Sequence, residues 1–209
     1  MTRARALLAN GSVRIRTPLA LPGQRIGIFG GSFNPAHGGH QAVAETALRR
    51  LALDKLWWVV TPGNPLKTNS GLAPLSERLA MCRALITNPR MEVTAFEADL
   101  ANPYTASTLA FLKGRFARTY FVWVMGADNL AWFHHWKDWR RIGALVPIAV
   151  VDRPGCRLAA LSSPAARALG HARVAESLAG RLATRRPPAW VYLAMRLSAI
   201  SSTSIRKNT

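Results

Sequence analysis

The residues able to do chemistry are concentrated in one glycine-rich stretch. Residues 30–40 read Gly-Gly-Ser-Phe-Asn-Pro-Ala-His-Gly-Gly-His. His37 and His40 stand three apart, so at a helix start both imidazoles can face one side. Such a pair can bind a metal or a phosphate. Zinc needs a third ligand, usually with a carboxylate or Cys nearby, and none is evident in this stretch. Glycines let backbone N–H groups approach an anion, and a helix N-terminus adds positive potential. Phosphate is therefore the better fit. The stretch is neither the dinucleotide fingerprint G-x-G-x-x-G nor a P-loop, because no G-K-[ST] follows.

The elements that must position this loop follow from hydrophobic spacing. Ile26-Gly27-Ile28-Phe29 reads as a buried strand, and residues 39–53 as a helix with Ala44, Ala47, Leu48 and Leu51 on one face. Strands are predicted over 56–60, 91–96, 120–125, 146–151 and 190–195. Between them, Leu75, Leu79, Cys82 and Ile86 mark one helix, and Leu109, Leu112 and Phe116 another that starts near Thr105. Residues 61–74 form a loop rich in Pro, Gly and Asn. This alternation predicts an α/β fold, a central parallel sheet with helices on both faces. Ligands of such sheets bind outside the C-terminal strand ends, where the glycine-rich loop emerges.

Composition sets the outer bounds. The chain has 209 residues, is 49% hydrophobic and carries seven Trp. That is one domain with a real core, not a disordered protein. No apolar run is long enough to span a bilayer. Cys82 and Cys156 make no disulfide scaffold and fit a reducing, cytoplasmic setting. Lys+Arg number 28 against 10 Asp+Glu, net +18, which attracts anions in general. No basic run with interleaved aromatics points to nucleic acid. Residues 1–24 hold Arg3, Arg5, Arg14 and Arg16 and no acid. They are read as a basic, disordered extension, with residues 25–209 as the domain.

The loop G-G-S-F-N-P-x-H-x-G-H resembles that of the (H/T)xGH nucleotidyltransferases. Near the C-terminus, Ile200-Ser201-Ser202-Thr203-Ser204-Ile205-Arg206 is similar to the I-S-[ST]-x-x-[IV]-R signature of the same superfamily. Further segments narrow the choice: Pro65-Leu66-Lys67, Pro103-Tyr104-Thr105, Gly126-Ala127-Asp128-Asn129-Leu130 with Trp136, and Arg153-Pro154-Gly155. Together they resemble bacterial nicotinate-nucleotide adenylyltransferases over residues 25–206. Ser107 departs from the pattern, standing where many members carry Asp.

The resemblance implies a Rossmann-like nucleotidyltransferase fold and transfer of AMP from ATP to nicotinate mononucleotide. It implies catalytic roles for His37, His40 and Arg206. Gly30, Gly31, Ser32, Phe33, Gly126, Asp128, Ile200, Ser201 and Ser202 would join these three around ATP. Lys67, Tyr104, Thr105 and Trp136 would meet the acceptor, with Trp136 stacked on the pyridine ring. Mg²⁺ would arrive with ATP and be held mostly by phosphates and water, with no protein metal site. The alternatives are another phosphorylated acceptor, such as nicotinamide mononucleotide, and a basic nucleic-acid-binding protein. The latter gives no reason for either motif. His134-His135 carries no motif and is read as surface.

Overall fold

The computed structural model describes residues 17–63, 71–102 and 104–195. Its strands are β1 (Arg25–Gly31), β2 (Lys55–Val60), β3 (Met91–Thr94), β4 (Tyr120–Gly126), β5 (Ile148–Val151), β6 (Arg173–Val174) and β7 (Trp190–Leu193). Its α-helices are α1 (Gly38–Arg50), α2 (Leu75–Leu85), α3 (Thr105–Arg115), α4 (Ala127–Trp132), α5 (Trp139–Leu145), α6 (Arg157–Leu161) and α7 (Pro164–Ala168). The strands form one parallel sheet in the order β3-β2-β1-β4-β5-β7-β6.

Both faces of the sheet are covered, as the unbroken apolar strands require. Side chains alternate across β2. Trp58 and Val60 join Val43, Ala47, Leu48 and Leu51 of the α1 region in one core. Trp57 and Val59 join Leu109 and Leu112 of α3 and Ile142 of α5 in the other. The chain runs outward from β1 in one direction through β2 and β3, and from β4 in the other. β1 and β4 are neighbours, so their C-terminal ends flank the switch point where α/β sheets bind ligands. The histidine loop leaves β1 at that point.

Several boundaries differ from the sequence reading. β3 stops at Thr94, because Thr94 Oγ1 accepts the Phe96 N–H at 3.3 Å and turns the chain. Phe96–Asp99 is then a 3-10 turn. β5 starts after Pro147, which has no N–H to give the ladder. β7 stops at Leu193, two residues short of Met195. β6 has two residues, too few to show a period. The predicted boundary at Arg25 also moves. Pro18 and Ala20 are buried. Gly23 N–H donates to Arg118 O at 2.7 Å, and Thr119 Oγ1 donates to Leu21 O at 3.1 Å. The short apolar run Pro18–Leu21 supplies the reason. Residues 1–16 lie outside the described residues. No described helix is long and apolar enough to cross a membrane.

Candidate active site

The two histidines build the helix start they occupy. His37 is the N-cap of α1, and its Nδ1 accepts the Gly39 N–H at 3.0 Å. His40, three residues on, accepts the His37 N–H on its own Nδ1 at 3.3 Å. This is a reciprocal capping box, made with imidazoles in place of the usual hydroxyl and carboxamide or carboxylate. The rings lie 3.9 Å apart between centroids.

The caps fix the tautomers. An Nδ1 that accepts a hydrogen bond carries no proton, so each neutral ring keeps its proton on Nε2. His37 Nε2 is buried and has no hydrogen-bond partner among the described residues. Burial holds His37 below the ordinary histidine range, helped by Arg153 and opposed by Asp128. Burial drives His40 down to about 3, with His37 and Arg153 adding to the effect. At neutral pH the pair is thus two uncharged N–H donors at the positive end of a 13-residue helix with no acid in its first turn. That arrangement suits an anion with several oxygens.

Arg153 and Asp128 complete the surroundings. Asp128 stands in the first turn of α4, just beyond β4, and Arg153 follows β5. Arg153 Nη1 lies 3.3 Å from Asp128 Oδ2. Asp128 Oδ1 is buried without a hydrogen-bond partner in the described structure. A Cβ at Gly126 would strike Asp128 Oδ1 and lie 2.8 Å from Arg153 Cδ, so a larger residue there would displace these two side chains.

The other glycines of the loop serve packing. A Cβ at Gly30 would meet Trp123 Cη2 at 2.5 Å, and one at Gly31 would sit 3.2 Å from the Phe33 ring. Phe33 has a left-handed backbone (φ 47) and a buried ring stacked on Trp58 at 5.0 Å. Burial of that ring holds a conformation that a bulky residue otherwise avoids. Ser32 contributes its carbonyl to Arg78 Nη1 at 2.8 Å.

The predicted acceptor residues sit on neighbouring elements. Tyr104 is the N-cap of α3 with no side-chain cap, and Thr105 is its first helical residue. No acid stands in that first turn, Ser107 included. Lys137 Nζ lies 4.4 Å over the Tyr104 ring. Trp136 is half-buried, edge-on to Phe133 at 5.5 Å and to Trp123 at 6.2 Å. Through Trp123 it connects to Gly30. Lys67, Ile200, Ser201, Ser202 and Arg206 lie outside the described residues. Of the pair read as surface, His135 is exposed, but His134 is half-buried with its Nδ1 shielded and without a hydrogen-bond partner in the described structure. It follows Phe133, which is anchored in the core.

The sequence reading missed three residues. Arg153 was visible only as part of a motif, and its charge on the histidines needs the fold. Glu97 is a buried carboxyl whose Oε1 accepts the Thr108 hydroxyl at 2.7 Å. Burial pushes it up to about 7. Arg78 is a fully buried guanidinium on α2. Nothing in their spacing marks either as buried.

The cytidylyltransferase-like family model matches residues 28–208. A probable nicotinate-nucleotide adenylyltransferase of Rhizobium meliloti is 61% identical, over 87% of this chain and 96% of its own. One of Agrobacterium fabrum is 54% identical, over 88% and 98%. A Plasmodium falciparum nicotinic acid mononucleotide adenylyltransferase, solved with NaAD, superposes with a TM-score of 0.66 at 18% identity, over 88% of this chain and 83% of its own. The fold is thus a Rossmann-like nucleotidyltransferase fold, and the chain belongs to the cytidylyltransferase-like family, among its nicotinate-nucleotide adenylyltransferases.

Proposed function

We propose that the chain transfers AMP from ATP to nicotinate mononucleotide, giving deamido-NAD and pyrophosphate. The observation that carries the reading is the imidazole capping box at the switch point, in a chain 61% identical to a probable enzyme of that name. The nucleophile is the acceptor's own phosphate oxygen. It forms a bond to the α-phosphorus of ATP while the bond to the pyrophosphate oxygen breaks. No activated Ser or Cys is required. The protein's work is alignment and neutralisation of growing negative charge.

In this reading His37 and His40 donate their Nε2–H groups to phosphate oxygens. Because the rings are neutral, they act as hydrogen-bond donors and not as fixed charges. Arg153 supplies fixed positive charge nearby. Ser201, Ser202 and Arg206 are assigned to the β- and γ-phosphates, with Ile200 opening that segment. Gly31, Ser32 and Phe33 would offer backbone groups to the nucleotide, and Asp128 Oδ1 is an acceptor for a hydroxyl or amine of the adenosine half. Gly30 and Gly126 keep the space. On the acceptor side, the uncapped start of α3 at Tyr104-Thr105 suits the nicotinate carboxylate. Trp136 would stack on its ring, and Lys67 would face its anionic groups.

Among the described residues no group of three or more His, Cys, Asp or Glu could cage a metal. Mg²⁺ would enter on the triphosphate, held by phosphate oxygens and water, and would supply charge neutralisation there. The free thiols Cys82 and Cys156 support a reducing, cytoplasmic location.

The test is pyrophosphate release from ATP with each mononucleotide in turn. Nicotinate mononucleotide should be used far better than the amide, which would leave the α3 donors badly matched. Equal or better use of the amide would replace this acceptor.

A further inference from the structure

Arg78 stands out because it is a buried cation among carbonyls. It is 1% exposed, and no carboxylate pairs with it in the described structure. Four of its N–H bonds go to main-chain oxygens. Nη1 donates to Ser32 O at 2.8 Å and to Thr61 O at 2.7 Å. Nη2 donates to Pro62 O at 3.1 Å, and Nε to Ala73 O at 2.8 Å. The acceptors belong to two loops. Ser32 precedes the histidines in the loop after β1. Thr61, Pro62 and Ala73 are the two feet of the loop between β2 and α2.

Asn34 makes a second tie between the same loops. Its Nδ2 donates to Gly71 O at 2.9 Å, and its Oδ1 accepts the Ala73 N–H at 3.2 Å. A planar guanidinium with a fixed fork can hold several carbonyls at set directions, which a flexible ammonium cannot copy. Burying a charge this deeply is costly unless its hydrogen bonds are met. For core packing alone, an apolar side chain would serve without that cost.

We propose that Arg78, with Asn34 as a second tie, is a positioning residue that clamps the histidine loop to the base of the β2–α2 loop. The inference rests on the reading that the first loop holds ATP and the second contributes to the acceptor site. The clamp then sets the distance between the acceptor oxygen and the α-phosphorus. Small misplacements of reacting groups cost rate far more than they cost binding, about 100-fold for 1 Å.

The experiment measures kcat and both KM values in Arg78→Lys, Arg78→Ala and Asn34→Ala, with folding followed by circular dichroism. Arg78→Lys should lower kcat by about 10- to 100-fold, on the scale of such misplacement, while each KM stays within about threefold. Added guanidinium should restore part of the kcat of Arg78→Ala. A purely structural arginine would lower the melting temperature but leave kcat per folded molecule unchanged, and that result overturns the proposal. If neither Arg78 variant folds, Asn34→Ala decides. A reduced kcat at steady KM supports the clamp, and an unchanged kcat removes it. The variants are assayed with whichever acceptor the wild type uses. Failure of the nicotinate reading would therefore appear in the wild type, and failure of the clamp only in the variants.

Discussion

Arg153 and Asp128 meet side chain to side chain beyond the ends of two adjacent strands, with Nη1 3.3 Å from Oδ2. Gly126 leaves the room for both. The pair matters because Arg153 presses the proton affinity of His37 and His40 down, while Asp128 partly opposes it at His37. Arg153→Met should therefore raise the pKa of both imidazoles. Burial, the larger cause, remains, so both should stay below the ordinary 6.5. NMR titration of the two rings reads this directly. Unmoved titration curves would take Arg153 out of the site's electrostatics.

The double role of His37 can be separated by choice of substitute. His37→Ala loses both the cap on Gly39 and the buried donor. It should lower stability by about 1 kcal/mol, the usual worth of an N-cap, and turnover by ~100-fold or more, the scale of one transition-state donor. His37→Asn restores a good cap but not the Nε2–H. It should recover the melting temperature and not the turnover. His40→Ala should also lose ~100-fold or more. Wild-type turnover in folded His40→Ala would exclude the histidine loop from the chemistry.

What the sequence made legible was local. Apolar runs such as 56–60 and 120–125 gave the strands, because a strand buried on both faces needs no partner to be recognised. The loop at 30–40 declared itself through its histidines. The sequence could not show that these histidines cap α1 with their Nδ1 atoms, since that depends on Gly39 and on the turn through Phe33. Arg78 and Glu97 were illegible for another reason. Charged residues on short helices read as solvated, and only the packing of distant loops around them makes them buried. The two-residue strand β6 exists because β7 offers it an edge, a tertiary effect with no periodic signal.

Glu97 gives a pH test. Its folded pKa stands at about 7 against an ordinary 4.5, because burial disfavours the carboxylate. The folded protein thus keeps a proton that the unfolded chain releases. The resulting stability is fully present below pH 4.5 and is lost as pH rises through about 7. His40 runs the other way, losing stability as pH falls from 6.5 toward about 3. Glu97→Gln has no proton to lose. The stability difference between wild type and Glu97→Gln should change between pH 4.5 and 7 and level off above. A constant difference across that window would mean that Glu97 does not titrate there.

The N-terminal boundary is open to truncation. The sequence reading, with residues 1–24 as an extension, places the boundary at Arg25. The structure argues for an earlier start. Removing residues 17–23 deletes the Gly23–Arg118 and Leu21–Thr119 hydrogen bonds and uncovers the site of Ala20. Starting at Gln24 should cost about 1–3 kcal/mol, from two or so hydrogen bonds and a small apolar patch. A chain that starts at Thr17 keeps these contacts and serves as the reference. Chemical denaturation of the two truncated proteins checks this, and equal midpoints would return the boundary to Arg25.

Trp136 separates an acceptor contact from a packing contact. Its ring is edge-on to both Trp123 and Phe133. Trp123 in turn fills the space left by Gly30 in β1. A change at Trp136 has two routes to the reaction: through its own face, or through Trp123 to the nucleotide loop. If its face meets the pyridine ring, Trp136→Ala removes a contact worth roughly 0.5–1.5 kcal/mol. The KM for nicotinate mononucleotide should then rise roughly 2- to 10-fold, while that for ATP stays nearly flat. Trp136→Phe should recover part of the loss, since a smaller aromatic face remains. If the second route dominates, Trp123 shifts toward the space vacated by the indole and loosens its contact with Gly30. ATP would then suffer as much as the acceptor, and Phe would rescue both equally. Parallel KM measurements for the two substrates in both variants choose between the routes.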